Sequence, residues 1–335
     1  MIDLLPSAGD EAIIDSVRAY VTAELPVSRF REGARTRGDF DHWNRFAELG
    51  WLSGADPAAG VDVVAEMLIF RELGVGLVSP ALLATVLAAH LATADGQRRL
   101  AAELTQGHRH VALAYHVATA NRPNYLYIID GQADSLFLTG TEGGLALWDA
   151  VAAQNRVELH PFDATTSLTG AIVAPGAKPI AAIPSPTLLQ RARVLTAAMA
   201  TGSAETTQKL AVDYAKIRHA FGRPIGSFQA IQHHCANMAM RSETARSQVV
   251  FAALCLRENM FEPIFQSAAA ALVASDAALE NAQTCIQVHG GVGLTFDCEA
   301  HYHLKRAHSL RWLWGATAGL CEQLLLPAAL YEVQP

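Results

Sequence analysis

The sequence predicts a mainly α-helical protein with a β insertion in its middle. Both ends of the 335-residue chain are rich in alanine and poor in β-branched residues, a composition that favours helix. Between about residues 110 and 185, the chain changes to short apolar runs separated by turn residues, which is typical of strands. Because helices and strands are segregated along the chain, the pattern favours an α+β architecture over alternating βαβ units.

The first part of the chain is predicted to be a helical domain over residues 1–109. Asp10 is expected to cap its first helix, since a short acidic side chain there can accept hydrogen bonds from free backbone N–H groups. Apolar residues recur at helical spacing over Phe40–Leu49, and further periodic stretches cover 61–73 and 81–92.

The middle part is predicted to be a small β domain over residues 110–185. The pairs Asp130-Gly131 and Gly143-Gly144 are turn signals between strands. Short runs with strand composition lie on either side of these pairs: 111–115, 125–129, 135–138, around 157, and 171–173.

The last part, residues 186–335, is predicted to be a helical bundle. Its composition returns to the alanine-rich, helix-favouring type of the N-terminal part. Glycine and proline interrupt it at intervals that fit long helices joined by short turns. Four long helical segments are expected: 187–219, 226–258, 263–288 and 298–330, the last one broken near Gly315.

Composition and charge exclude several classes of function. The net charge is −7 and no basic stripe is present, so a nucleic-acid-binding protein is not predicted. The longest uncharged stretch, 75–94, is interrupted by polar residues, so a buried helix is expected rather than a membrane span. No signal peptide is evident, and the five cysteines form no C-x-x-C pair, which favours reduced cysteines in a cytoplasmic protein.

The histidines do not predict a metal site. The pairs at 108 and 110, at 233 and 234, and at 301 and 303 each offer only two candidate ligands. No cluster combines three ligands at helix or turn spacing, as a zinc site would require. Surface or capping roles are therefore expected for these side chains.

The most informative segment runs from Tyr214 to Gln232 and is expected to be a helix end, a Gly-Arg-Pro turn and a new helix. The turn is expected to bring Arg218, Phe221 and Gln229 near one point. An arginine fork, an aromatic ring and an amide suit an anionic, planar ligand such as a nucleotide diphosphate. Spacing alone favours a simpler alternative, a corner between helices with Arg218 at the surface and Phe221 in the core.

A second segment, Gln287–Thr295, carries paired glycines directly after a helix. Gly290 and Gly291 would let backbone N–H groups approach a phosphate closely. The segment does not follow a strand, so it fits a dinucleotide-binding glycine fingerprint poorly. The alternative is a helix C-cap followed by a loop.

Together these two segments resemble the acyl-CoA dehydrogenase family. In that family an R-x-x-F-G-x-x-I-x-x-F-Q-x-x-Q stretch and a later Q-x-x-G-G-x-G stretch both occur in the C-terminal helical domain. Here these stretches begin at Arg218 and Gln287. The segments Phe46–Leu52, Phe70–Gly74 and Gly290–Arg306 also look like family segments, so the resemblance extends over most of the chain.

The resemblance implies an N-terminal helical domain, a small β-barrel middle domain and a C-terminal four-helix bundle. It also implies FAD as cofactor and α,β-dehydrogenation of an acyl-CoA thioester. In the family, the C-terminal domain of one subunit contacts the adenosine-diphosphate half of FAD held mainly by its neighbour. That role would fall on Arg218 at the pyrophosphate, Phe221 against the adenine, and Gln229, Gln287, Gly290 and Gly291.

The chain departs from the family at the catalytic base. The base is usually a Glu in an apolar pocket with a raised pKa, because it must remove the α-proton of the substrate. The two positions that the family uses correspond to Gly315 and Ala192, and neither residue can take a proton. Three acids lie nearby, and we expect Glu205 and Asp213 on a helix surface or interface and Glu299 at a helix N-terminus.

The middle domain departs as well. Tyr115–Pro123 stands where active members carry a T-E-P-x-x-G-S-D-like strand, and no clear W-I-(T/S)-N-G-like strand follows. The resemblance therefore implies a subunit of an α₂β₂ complex that completes the FAD site of a larger partner subunit, which supplies the Glu. The acyl group would be a steroid or another bulky one. The alternatives are a homomeric dehydrogenase with a displaced base and a non-catalytic scaffold.

Overall fold

The computed structural model describes residues 7–31, 39–116, 124–141 and 143–325. Within these ranges the chain runs from helices through a β-sheet back to helices. The predicted order, a mainly helical chain with a β insertion, is therefore confirmed. Of the segment Tyr115–Pro123 that departs from the family, residues 117–123 lie outside the described ranges.

Within the described residues, five α-helices precede the sheet. The first begins with a capping box in which the Ser7 hydroxyl accepts a hydrogen bond from the Asp10 N–H (3.2 Å) and the Asp10 carboxylate accepts one from the Ser7 N–H (2.8 Å). The prediction that Asp10 is the cap is therefore wrong by three residues, since Ser7 holds that position. The helices are α1 (Ala8–Glu24), α2 (Trp43–Glu48), α3 (Val63–Val75), α4 (Pro80–Ala94) and α5 (Arg98–Thr105).

Helix α4 is the buried helix expected in the uncharged stretch 75–94. Twelve of its residues are buried, among them Leu82, Leu83 and Leu87. It packs against α5 and against the sheet strand that begins at Val111. None of the described helices is both long and apolar enough to span a lipid bilayer.

Seven strands form one sheet in the order β5-β6-β2-β1-β3-β4-β7, in which β1 and β3 are parallel and the other neighbours antiparallel. The prediction missed two strands at one side of the sheet, and it assigned Gly144 to a turn although Gly144 begins a strand. The strands are β1 (Val111–His116), β2 (Tyr125–Ile129), β3 (Leu136–Thr141), β4 (Gly144–Trp148), β5 (Ala153–Leu159), β6 (Leu168–Val173) and β7 (Ala181–Pro184).

Five helices follow the sheet, close to the predicted bounds. A short 3₁₀ turn, Leu313–Gly315, breaks the last predicted segment where it was expected to break. A two-stranded hairpin of β8 (His219–Ala220) and β9 (Arg223–Pro224) joins the first two helices. The helices are α6 (Pro186–Ile217), α7 (Gln229–Glu258), α8 (Pro263–His289), α9 (Ala300–Arg311) and α10 (Ala316–Leu325).

The chain divides into two compact units. Unit 1 comprises Met1–Ala34, Met67–Leu77 and Arg193–Pro335, and unit 2 comprises Arg35–Glu66 and Val78–Ala192. Helices α3 and α6 therefore contribute residues to both units. The predicted three-domain division at 109 and 185 stays a prediction.

Close packing fixes α6 against α3 inside unit 1. A Cβ added at Gly74 would overlap the Met199 carbonyl, and one added at Gly202 would overlap the Arg71 carbonyl. Both glycines lie inside helices, where glycine costs about 1 kcal/mol relative to alanine. Their small size lets the two backbones approach each other, which positions the helix that leads into the candidate site.

Candidate functional site

The hairpin between α6 and α7 presents Phe221 to solvent. Its two turn residues, Phe221 and Gly222, both have positive φ (52° and 79°), as a two-residue turn of this kind requires. Phe221 is 96% exposed, and its ring lies edge to face with that of Phe228 at 6.2 Å between centroids. The alternative that placed Phe221 in the core is therefore wrong.

Such a turn is costly for a phenylalanine. A bulky residue at positive φ is strained, and an exposed aromatic ring gains nothing from burial. Residues held in this way cluster at ligand and partner sites. The ring is therefore available to pack against a planar group from outside the chain.

The polar residues beside this turn are also exposed. The Arg218 N–H donates to the Tyr214 carbonyl (2.9 Å), and the Arg218 carbonyl accepts from the Ile225 N–H (2.8 Å), so the backbone at Arg218 is fixed. Its guanidinium makes no hydrogen bond or ion pair with any residue that the structure describes. Gln229, the first residue of α7, is exposed as well.

The end of α8 leaves its backbone accessible. Gly290 has φ 63° and follows the last helical residue, whereas Gln287 is exposed on the last turn. A Cβ added at Gly290 or Gly291 would meet no other atom within 4 Å. Because packing inside the chain does not require Gly291, the open space in front of it can receive an external group.

The structure brings the two segments to the same end of the helical bundle in unit 1. The ring of Tyr214, near the end of α6, stacks on His289, the last residue of α8, with centroids 4.1 Å apart. A buried cluster that includes Ala215, Met238 and Val288 joins the ends of α6 and α8 to α7. The sequence-predicted site residues therefore lie on neighbouring segments around one core.

The two positions that the sequence predicts for a base hold no acid in this chain. Ala192 is buried in α6, and Gly315 has φ 121°, where a side chain would be strained. A buried arginine, Arg193, lies beside Gly315: its Nε and Nη2 donate to the Trp314 carbonyl (3.2 and 3.1 Å), and its Nη1 donates to Gln323 Oε1 (2.6 Å). Burial lowers the pKa of Arg193. The charged side chain beside Gly315 is therefore a guanidinium and not a carboxylate.

The three acids considered in the sequence analysis are each paired with a cation. Asp213 lies 3.8 Å from Lys216 on an exposed helix face, and Glu299 precedes α9 and pairs with Arg31 at 3.0 Å, both as predicted.

Glu205 is less exposed than the sequence suggested. Its carboxylate pairs with Arg71 at 2.9 Å, and burial raises the pKa of Glu205 while Arg71 opposes that rise. The ion pair with Arg71 therefore indicates a structural role for the Glu205 carboxylate.

Sequence reasoning missed a buried charged cluster in unit 2. The Glu66 carboxylate is 1% exposed and contacts His90 Nε2 (2.7 Å) with one oxygen and the Arg191 guanidinium with the other. A Cβ at Gly54 would overlap this carboxylate, so the glycine makes room for it. The three residues are far apart in the sequence. The one feature of the sequence that indicates the cluster is an acidic residue within the apolar stretch of α3.

The histidines of α9 show no metal arrangement. No group of three or more metal-ligating side chains occurs in the described part of the chain. His303 is buried, its Nδ1 lies 2.8 Å from the Ser203 hydroxyl, and its Nε2 has no hydrogen-bond partner among the described residues. Burial, together with the charge of Arg306, lowers the pKa of His303 to about 3.

We expect His303 to make the protein less stable in acid. In the unfolded chain its pKa would be about 6.5, so protons favour the unfolded state as the pH falls from 6.5 towards 3. At about 1.4 kcal/mol per pKa unit, the loss by pH 4.5 is about 2.5 kcal/mol. Denaturant unfolding of His303→Asn, which keeps an acceptor for Ser203, should depend less on pH. An unchanged pH slope, equal to that of the exposed control His160→Asn, would contradict this.

Comparison with known proteins identifies relatives of this chain. The profile of the family described as acyl-CoA dehydrogenase, C-terminal domain, matches residues 185–325. Acyl-CoA dehydrogenase IpdE2 of Mycobacterium tuberculosis is 33% identical over 252 residues, which are 75% of this chain and 73% of that protein.

Two solved structures share the fold over almost the whole chain. A variant of the steroid ACAD Tcur3481-Tcur3483 gives a TM-score of 0.80 at 22% identity, covering 97% of this chain and 99% of its own. The ChsE4-ChsE5 complex from Mycobacterium tuberculosis gives a TM-score of 0.79 at 22% identity, covering 100% of both chains. At this identity the likeness concerns the fold.

Proposed function

Because the chain belongs to the acyl-CoA dehydrogenase family, we propose that it is the subunit of a heteromeric dehydrogenase that completes a partner's FAD site without supplying the base. FAD is the cofactor of this family, as the sequence predicted. The reaction of the proposed complex is α,β-dehydrogenation of an acyl-CoA thioester.

The observation that carries the proposal is the exposed, strained Phe221 beside an unpaired Arg218. Among the described residues no side chain pairs with Arg218, and Phe221 stays exposed despite its edge-to-face contact with Phe228, although the backbone around them is firmly held. Strain and exposure of this kind are expected where a ligand or partner covers the group. A site that faces outward fits a cofactor held mainly by a neighbouring subunit.

The exposed residues fit the adenosine-diphosphate half of FAD. The Arg218 guanidinium matches a pyrophosphate, since its planar donors can bind two oxygens at once. The Phe221 ring offers a face for the adenine. Gln229, Gln287 and the backbone at Gly291 would supply further hydrogen-bond donors, whereas Gly290, whose N–H already donates to the Ile286 and Gln287 carbonyls, would let the ligand approach closely. When bound, FAD accepts the β-hydrogen of the substrate as hydride.

The role that this chain lacks is proton removal. A carboxylate must take the α-proton of the thioester, and the two positions for it are Gly315 and Ala192 here. The buried cation Arg193 beside Gly315 makes the region unlike a pocket that holds a base with a raised pKa. In the proposed complex the partner subunit therefore supplies the Glu, and this chain binds and orients the cofactor.

Two structural neighbours bear on the partner and the substrate. One structural neighbour is a complex of two unlike proteins, ChsE4 and ChsE5, and another is called a steroid ACAD. We extend these properties to this chain as part of the proposal: an α₂β₂ assembly with a larger dehydrogenase subunit, acting on the CoA thioester of a steroid or another bulky acyl group.

A second candidate is a homomeric dehydrogenase with a displaced base. The observation in its favour is Glu205, because burial raises the pKa of that carboxyl as a base requires. The ion pair with Arg71 opposes this use, since an acid held at 2.9 Å by a guanidinium is stabilised in its charged form.

A turnover assay separates the two candidates. We expect this chain alone, including Ala192→Glu and Gly315→Glu variants, to give no acyl-CoA oxidation with a dye acceptor, whereas the complex is active. Glu205→Gln in the complex should leave kcat within about twofold, because Glu205 lies outside the proposed chemistry. Turnover by the chain alone that Glu205→Gln abolishes would overturn the proposal and establish the homomeric enzyme.

A further inference from the structure

A cleft of about 520 Å³ lies in unit 2, at the start of α5. This volume falls within the range of small-molecule sites, roughly 300–1,000 Å³. Its walls come from three places: the first turns of α5, the loop before β1 and the residue before β7. The lining residues are Gln97, Arg98, Arg99, Leu100, Glu103, Arg109 and Ile180.

The cleft is positively charged in a chain whose net charge is −7. One of its three arginines is neutralised, since Arg99 pairs with Glu103 at 2.9 Å. Arg98 and Arg109 make no hydrogen bond or ion pair with any side chain among the described residues. Two guanidinium groups without a counter-charge therefore converge on one concave surface from two separate segments.

The start of α5 has no acidic side chain to complement its helix dipole. The first turn of α5 carries two arginines and no acid, although the positive end of a helix dipole favours negative charge. The residue before the helix, Gln97, makes no capping hydrogen bond, because its amide donates to Asp95 (2.6 Å) and to the Ile180 carbonyl (2.7 Å). Asp95, the acceptor of one of these bonds, does not line the cleft.

We propose that this cleft binds an organic phosphate of nucleotide size. Guanidinium groups bind phosphate oxygens in pairs, which suits a diphosphate between Arg98 and Arg109. The volume exceeds what a single phosphate group fills, and Leu100 and Ile180 provide apolar walls for the rest of the ligand. All the lining residues belong to unit 2, whereas the candidate flavin residues belong to unit 1, so the inference does not depend on the proposed function.

Calorimetric titration of the purified chain with uridine diphosphate tests this, with Arg218→Ala present in every sample so that the probe cannot use the candidate flavin site. We expect the Arg98→Gln/Arg109→Gln double variant to bind the probe at least about tenfold more weakly. Glu103→Gln, which frees Arg99 and removes the negative charge, should bind it more tightly. Arg45→Gln removes an exposed arginine of the same unit that is already paired with Glu48, and it should bind like the parent.

Inorganic phosphate in the same titration distinguishes a nucleotide-sized ligand from a free ion. We expect uridine diphosphate to bind at least about tenfold more tightly than inorganic phosphate, since it places a second charged group between the two arginines. Equal affinities for the two probes would overturn the proposal. So would an absence of binding, or a double variant that binds like Arg45→Gln.

Discussion

Replacement of Arg218 by alanine is expected to lower the FAD content of the assembled complex by about tenfold or more under dilute conditions. Hydrogen bonds to charged groups contribute about 1.5–3 kcal/mol, which corresponds to roughly ten- to hundredfold in Kd. The guanidinium makes no contact with described residues, so its removal should not weaken the fold of this chain. Phe221→Ala should act in the same direction, because its ring is exposed.

Flavin absorbance per complex, measured after gel filtration, checks this expectation. Lys216→Ala is the matched control, because Lys216 is an exposed cation two residues away that lies near Asp213. Thermal unfolding of the flavin-free proteins should be the same for all three variants and the parent within about 1 °C. If the Arg218→Ala complex retained as much flavin as the parent and Lys216→Ala complexes, the assignment of the pyrophosphate contact to Arg218 would be wrong.

Replacement of Glu66 by alanine is expected to lower the free energy of unfolding by about 3–5 kcal/mol. Breaking a buried ion pair leaves the remaining charge without a partner in a low-dielectric environment. Here two partners lose their contact, because one oxygen of Glu66 contacts His90 and the other contacts Arg191. Glu66→Gln should cost less, because the amide keeps one acceptor and one donor in the same shape.

Denaturant unfolding followed by circular dichroism measures the effect. The control is Glu48→Ala, which removes an exposed acid paired with Arg45 at 2.8 Å and should change the free energy by no more than about 1 kcal/mol. Gly54→Ala should be destabilising as well, since the added methyl overlaps the Glu66 carboxylate. A Glu66→Ala variant as stable as Glu48→Ala would show that the buried cluster contributes nothing.

The helices were predictable because their signals are local. The bounds of α6, α7 and α8 follow from alanine-rich segments with clear stops, and the break near Gly315 follows from the glycine itself. The strand β7 was missed because it has only four residues. The strand β4 was missed because it begins with Gly144, a residue type that sequence patterns assign to turns.

The sequence predicted which segments form the candidate site, but not how their side chains are exposed. Motif spacing identified Arg218 and Phe221, but it favoured a buried Phe221, because the hairpin turn that exposes the ring depends on a positive φ at a non-glycine residue. The cluster of Glu66, His90 and Arg191 could not be predicted. Its members are 24 and 125 residues apart, and only the folded chain brings them together.

The central claim is a shared flavin site, and the stoichiometry of FAD tests it most directly. The chain is purified alone and after co-expression with its larger dehydrogenase subunit, and the flavin absorbance and native mass of each sample are measured. The account predicts a colourless chain alone and a yellow hetero-oligomer with fewer than one FAD per polypeptide. A yellow homo-oligomer of this chain with one FAD per polypeptide would contradict it.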